Sequence, residues 1–157
     1  MPYMKSDPRT KAADDVIAEV TRSCLLTRTR QISRVVTALY DTELRPHGVN
    51  SSQFSLLVLI AQRGPLSRAD LGRANHQDRS TLTRNLQPLL SQEWVEEDAA
   101  AGSGRIRLVS LAKEGRTILR TAAPAWRAAQ AKARLMLGDK GGMAIIDIAD
   151  ALPLRTN

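Results

Sequence analysis

The chain has 157 residues, with 23 Lys and Arg against 16 Asp and Glu and a formal net charge of +7, and its 43 % hydrophobic and 25 % charged content is that of a globular protein. Five aromatic residues (Tyr3, Tyr40, Phe54, Trp94, Trp126) argue against modules that stack single-stranded bases on aromatic platforms. One cysteine, Cys24, excludes an internal disulfide framework or multi-cysteine zinc site, and the longest apolar run, 56–61, falls far short of the ~20 residues that span a bilayer.

The start, MPYMKSDPRTK, has no apolar signal region, so residues 1–11 read as a flexible N-terminus and a cytoplasmic protein is expected. From Asp14 to Tyr40 the residues Val16, Ile17, Val20, Cys24, Leu25, Ile32, Val35, Val36 and Leu39 recur at spacings of three and four. That period predicts one long amphipathic helix, closed by Pro46 and Gly48. Asn50, with Gln53 three residues on, has capping-box spacing and opens a second helix. Its body, Phe54 to Ala61, is apolar on nearly all sides and is expected at the buried centre; Gly64 and Pro65 end it.

Ser67 can cap the next helix, with Asp70 at its third position and Leu66 and Leu71 at hydrophobic-staple spacing. That short helix stops near Ala74 or Asn75. After the turn Asn75-His76-Gln77, Asp78 can cap a further helix to about Gln92. There Leu82, Leu86 and Leu89 form one apolar stripe, and Ser80, Thr83, Arg84 and Gln87 the opposite face, with Thr81 at the side. Pro88 is expected to bend or loosen the last turn.

Beyond it the period changes to two. Trp94 to Glu96 reads as a short strand, Ala99 to Gly104 as a flexible tip, and Arg105-Ile106-Arg107-Leu108 as a half-exposed strand, together a β-hairpin. A long Ala-rich helix follows from about Leu111 to Leu137, broken near Gly115 and kinked at Pro124. A breaker at 138–142 separates it from a short final helix, Met143 to Leu152. The chain has no internal repeat.

Helix, short helix, turn, helix and hairpin in that order describe a winged helix-turn-helix, mainly α with a small β-hairpin. A recognition helix needs an apolar stripe to anchor it and an opposite face of hydroxyls, amides and Arg that reach base edges in the major groove. Arg79, Ser80, Thr81, Thr83, Arg84 and Gln87 meet that requirement. Arg105 and Arg107, on one face of the hairpin, suit phosphates or a neighbouring minor groove. The partner these residues point to is double-stranded DNA.

The stretches LYDTELRPHGVNSSQFSLLVLI, DRSTLTRNLQPLLSQEWVEED and GRIRLVSLAKEG resemble the MarR family of bacterial transcriptional regulators. The likeness is strongest over Arg79 to Leu86 and extends over roughly residues 12 to 152. It implies an obligate homodimer, with the first, fifth and last helices of each subunit packed together. Residues 12–48 and 111–157 would then be the dimerisation region and 49–110 the DNA-binding domain. It further implies a pseudo-palindromic operator and release by a small phenolic or other lipophilic effector. Three departures stand out. Asn75 and Gln77 replace apolar turn residues, Ser103 replaces an Asp that helps hold the wing Arg, and Leu111-Ala112 replaces Leu-Thr, leaving Ser110 to substitute as cap.

Two alternatives remain, a thiol redox sensor and a scaffold of the same fold. One branch of the family senses organic peroxide through a first-helix Cys bonded to tyrosines. Aligned on Tyr40, Cys24 falls two residues too early and Arg28 stands where a tyrosine is needed, so a structural or interfacial Cys is expected over a thiol redox sensor. The polar turn at Asn75 and Gln77 would suit a helical scaffold that has lost DNA binding. His47 and His76 lack clustered ligands, so no metal or cofactor is expected. No nucleophile elbow, phosphate loop or His/Glu pair supports catalysis. Asp14-Asp15 and Glu96-Glu97-Asp98 read as solvated charge, and Trp126 as core or subunit contact ahead of an effector pocket. A repressor is the expected role.

Overall fold

The computed structural model describes residues 8–99 and 106–153. The chain divides into two units, one ending at Val36 and the other beginning at Thr37. Where one helix was expected over 14–40 there are two, α1 (Pro8–Ser23) and α2 (Leu25–Leu44), interrupted at Cys24. Cys24 keeps its N–H on the Val20 carbonyl (3.1 Å) and receives the Arg28 N–H (3.2 Å). The Thr21 carbonyl, the normal acceptor for Leu25, is taken instead by the Arg28 guanidinium at 2.6 Å. A side-chain donor thus competes with the helix ladder at the point where it breaks. Val16, Ile17, Val20, Leu25, Leu26, Ile32 and Val35 are all exposed.

The second unit holds the core. After a 3-10 turn (Arg45–His47), α3 (Ser51–Arg63) starts with the full capping box. Asn50 Oδ1 accepts the Gln53 N–H at 2.8 Å and Gln53 Oε1 accepts the Asn50 N–H at 3.0 Å. Asp41 Oδ1 accepts the Ser51 N–H at 2.7 Å, so another free donor of the helix start is satisfied by α2. Phe54, Leu56, Leu57 and Ile60 of α3 are buried, as its apolar body predicts, but Val58 is exposed.

β1 (Leu66–Ser67), α4 (Arg68–Ala74), α5 (Arg79–Ser91), β2 (Val95–Ala99) and β3 (Arg107–Leu111) follow. The strands form an antiparallel sheet in the order β1-β3-β2, with Leu66 opposite Val109 and Glu97 opposite Val109 on the other side. The hairpin was legible from its period. β1 was not, since two residues carry no period. Leu71, Leu82, Leu86, Leu89, Val109 and Leu44 close the core around α3. Residues 100–105, which include Ser103 and Arg105, lie outside the described residues.

α6 (Lys113–Ala151) departs from the expected pattern. It runs through Gly115 and Pro124; the expected break before the final helix is present but confined to Gly138 (φ 71°, ψ 156°), where two helical segments meet at a kink, with Gly141 and Gly142 helical. Gly115 is a contact rather than a break: a Cβ there would lie 2.1 Å from the Trp94 carbonyl oxygen. Ala112 is the N-cap without a side-chain bond. The expected substitute, Ser110, donates its hydroxyl across the sheet to Glu96 Oε1 at 3.2 Å. Trp126, expected in a core or subunit contact, is 38 % exposed, and Leu135, Met136, Met143, Ile145, Ile146 and Ile148 are exposed too. No helix among the described residues is long and apolar enough to cross a membrane.

Candidate nucleic-acid interface

α4 and α5 are set by their caps. Ser67 accepts the Asp70 N–H at 3.1 Å, and Asp70 in turn receives the Ser67 hydroxyl (2.5 Å) and the Arg73 guanidinium. The turn brings Asn75 N–H to the Leu71 carbonyl (3.0 Å) and Gln77 N–H to the Gly72 carbonyl (2.9 Å), with His76 at φ 51°. The approach is close at Gly72, where a Cβ would lie 3.3 Å from the Gln77 carbonyl oxygen. The polar turn is therefore satisfied through its backbone. Its side chains contribute less: Gln77 Oε1 is buried with no hydrogen-bond partner.

Asp78 organises the start of α5. Its Oδ1 accepts the Thr81 N–H and the Ser80 hydroxyl, each at 2.8 Å, and its Oδ2 accepts the Thr81 hydroxyl at 2.8 Å. The backbone bond from Thr81, then the Ser80 and Thr81 hydroxyls, hold this carboxyl far below the usual carboxylate range. Because the folded value lies below the unfolded one of about 3.9, the contribution is present above that pH and is lost as pH falls through the folded value. Asp78→Asn retains a good cap without the titrating charge. Thermal melts from neutral pH into acid are expected to show a shallower loss of stability in Asp78→Asn than in the parent, from about pH 4 downward. Identical pH profiles would refute the assignment.

With Leu82, Leu86 and Leu89 buried against the core, α5 presents Ser80, Thr83, Arg84 and Gln87 outward, all exposed, with Arg79 exposed at its first position and Thr81 half-buried. The Thr83 hydroxyl donates to the Arg79 carbonyl at 2.8 Å, and Arg84 Nη2 lies 3.5 Å from Thr81 Oγ1. With their protons committed to Asp78, the Ser80 and Thr81 oxygens retain lone pairs. They can accept from base amino groups such as adenine N6 or cytosine N4. Lys113 and Arg116, in the first turn of α6, are exposed as well.

On the wing, Arg107 is 64 % exposed but folds back, Nη2 donating to the Glu97 carbonyl at 2.6 Å and Nε lying 3.8 Å from Glu97 Oε2. Arg105, its expected companion, is outside the described residues. Glu97 itself corrects the reading of solvated charge. Its side chain is 10 % exposed, and its carboxylate receives Arg68 in a two-point pair, Nε to Oε1 at 2.6 Å and Nη2 to Oε2 at 2.8 Å. The sequence carried a signal for this: Glu97 lies in phase with buried Val95 on the inner face of β2.

Elsewhere, Cys24 is half-buried, and hydrogen bonding from the Thr27 side chain and backbone holds its thiol below the ordinary value. Among the described residues no group of three or more His, Cys, Asp or Glu is arranged to hold a metal ion.

The model of the MarR family matches residues 47–106. The chain is 28 % identical over 90 residues to an uncharacterised HTH-type transcriptional regulator, YwoH, of Bacillus subtilis; the match spans 57 % of this chain and 65 % of that protein's length. It is 31 % identical to the crystal structure of the Mycobacterium tuberculosis transcriptional regulator MosR (TM-score 0.70, covering 82 % of this chain and 93 % of that one). A structure of MosR in complex with DNA aligns at 30 % identity with TM-score 0.66, covering 82 % and 97 %. A Mycobacterium tuberculosis MarR family protein in complex with salicylic acid shares the fold at 23 % identity and TM-score 0.63, covering 83 % and 97 %.

Proposed function

The chain belongs to the MarR family of transcriptional regulators, and from that premise we propose that it represses transcription as a homodimer on a pseudo-palindromic operator and is released by a small aromatic effector. The observation that carries this reading is the outward face of α5, Ser80, Thr83, Arg84 and Gln87, held by the buried leucines behind it and oriented by the Asp78 cap. A helix so anchored can enter a major groove with those side chains at base edges. Residues 49–110 form the reading domain, with Thr81 joining those groove contacts, Arg79 at the start of the helix and Arg105 and Arg107 on the wing. Residues 12–48 and 111–157 supply the dimer contacts. Support for dimerisation comes from apolar side chains left exposed on α1, α2 and the end of α6, which a second copy would remove from water. Support for DNA and for an aromatic acid comes from the MosR–DNA and salicylic acid complexes. The role places the protein in the cytoplasm.

Selection of bound duplexes from fragmented genomic DNA tests the proposal. The expected product is an inverted repeat with half-sites one helical turn, ~34 Å, apart. Affinity is expected to fall steeply with salt, whereas a scaffold's protein interface would show a weak dependence. Recovery of no common sequence would reject the reading. Arg84→Ala is expected to weaken operator binding by about 1–3 kcal/mol and to relax discrimination at one base position, checked by gel shift over single-base operator variants. A loss uniform across the variants would reassign Arg84 to phosphate.

A further inference from the structure

The interface carries an acidic residue that the reading above does not use. Glu97 stands at the inner face of the wing strand, its side chain 10 % exposed, with two arginines on it from different directions. Arg68 begins α4, the first helix of the helix-turn-helix, and directly follows β1. Its guanidinium crosses to Glu97 in a two-point pair at 2.6 and 2.8 Å. Arg107 belongs to β3 and is tied to the same residue twice, through the Glu97 carbonyl at 2.6 Å and across 3.8 Å to the carboxylate. Two-point pairing fixes direction as well as distance, which a single contact does not. The contact joins α4 to the wing across the sheet, with Glu97 and Leu66 on opposite sides of Val109.

We infer that Glu97 is a positioning residue for DNA recognition: its carboxylate clamps the wing to the helix-turn-helix through Arg68 and holds Arg107 at the angle from which it meets the duplex. This rests on the DNA-binding reading above. Charge alone predicts the opposite effect, since an acid lowers the affinity of a protein for a polyanion. Retaining a carboxylate between two arginines makes sense where the placement of those arginines matters more than the sum of their charges. The clamp therefore contributes to discrimination between sequences. Binding to an arbitrary duplex draws mainly on unspecific charge.

The test compares the parent with Glu97→Gln, which keeps size and an acceptor oxygen but removes the charge. Each is titrated against a duplex recovered from a random-sequence pool with the parent, and against a scrambled duplex of the same composition. Glu97→Gln is expected to bind the scrambled duplex as well as the parent or better. It is expected to bind the selected duplex about tenfold more weakly, so the ratio of the two affinities falls. A loss of folded protein would scale both affinities together and leave that ratio unmoved. Arg68→Met is expected to lower the ratio similarly, and the double variant no further than either single one. Equal shifts on both duplexes, or additive effects of the two substitutions, would overturn the inference. A parent with no preference for any duplex would overturn it together with the DNA-binding reading; a parent with a clear preference that Glu97→Gln retains would overturn this inference alone.

Discussion

Gly115→Ala is expected to destabilise the protein by about 3 kcal/mol, lowering the melting temperature by roughly 6–12 °C at fixed protein concentration. The new methyl group would lie 2.1 Å from the Trp94 carbonyl oxygen and 2.7 Å from Leu111 Cδ1. Neither neighbour yields easily. The Trp94 carbonyl accepts the Ala112 N–H at 3.1 Å, and the Trp94 N–H is bonded to the Leu89 carbonyl at 2.9 Å. Moving that peptide away from α6 strains the end of α5 and the start of β2 together. Gly142→Ala is the internal comparison. It lies in the helical segment beyond the Gly138 kink, and a Cβ there meets nothing within 4 Å. Helix propensity then favours alanine by about 1 kcal/mol. Thermal or urea melts of both variants should move in opposite directions. Gly115→Ala melting with the parent would remove the close approach from the description of this fold.

The second large effect is expected at Leu86. It is 0 % exposed, on the inward stripe of α5 between Leu82 and Leu89. Truncation to alanine is expected to cost about 2–5 kcal/mol, from lost transfer free energy and the cavity left behind. The volume-conserving Leu86→Met should remain within about 1.5 kcal/mol of the parent. Denaturant unfolding of the pair checks this, and near-equal stabilities would show that the site repacks freely. The same cavity loosens the helix that carries Arg84, so Leu86→Ala should bind the selected operator more weakly than its folded fraction accounts for.

The burial of Leu86 is written in the local period of the chain, whereas the contact at Gly115 is not. The caps of α3, α4 and α5 were legible because each joins residues three apart: Asn50 with Gln53, Ser67 with Asp70, Asp78 with Thr81. The anchoring of α5 was legible because Leu82, Leu86 and Leu89 repeat at the helical period. Gly115 was misread as a helix break because the sequence does not reveal that Trp94, far back along the chain, passes against it. Glu97 was misread as solvated charge for the same reason: Arg68 precedes it by 29 residues. Arg107 was placed on the correct strand, but its tie to Glu97 depends on a register that alternation alone does not supply.

Period, caps and the MarR-like run from Arg79 to Leu86 determined the fold class, the succession of α3, α4, α5 and the hairpin, and the face of α5 that points outward. Those signals act within one or two turns of chain, where spacing fixes geometry. Tertiary structure alone decided the third strand at Leu66–Ser67, the passage of α6 over the Trp94 carbonyl and the pairing of one half-buried wing carboxylate with two arginines. Each depends on groups brought together from distant parts of the chain, and their pairing is set by how the layers pack.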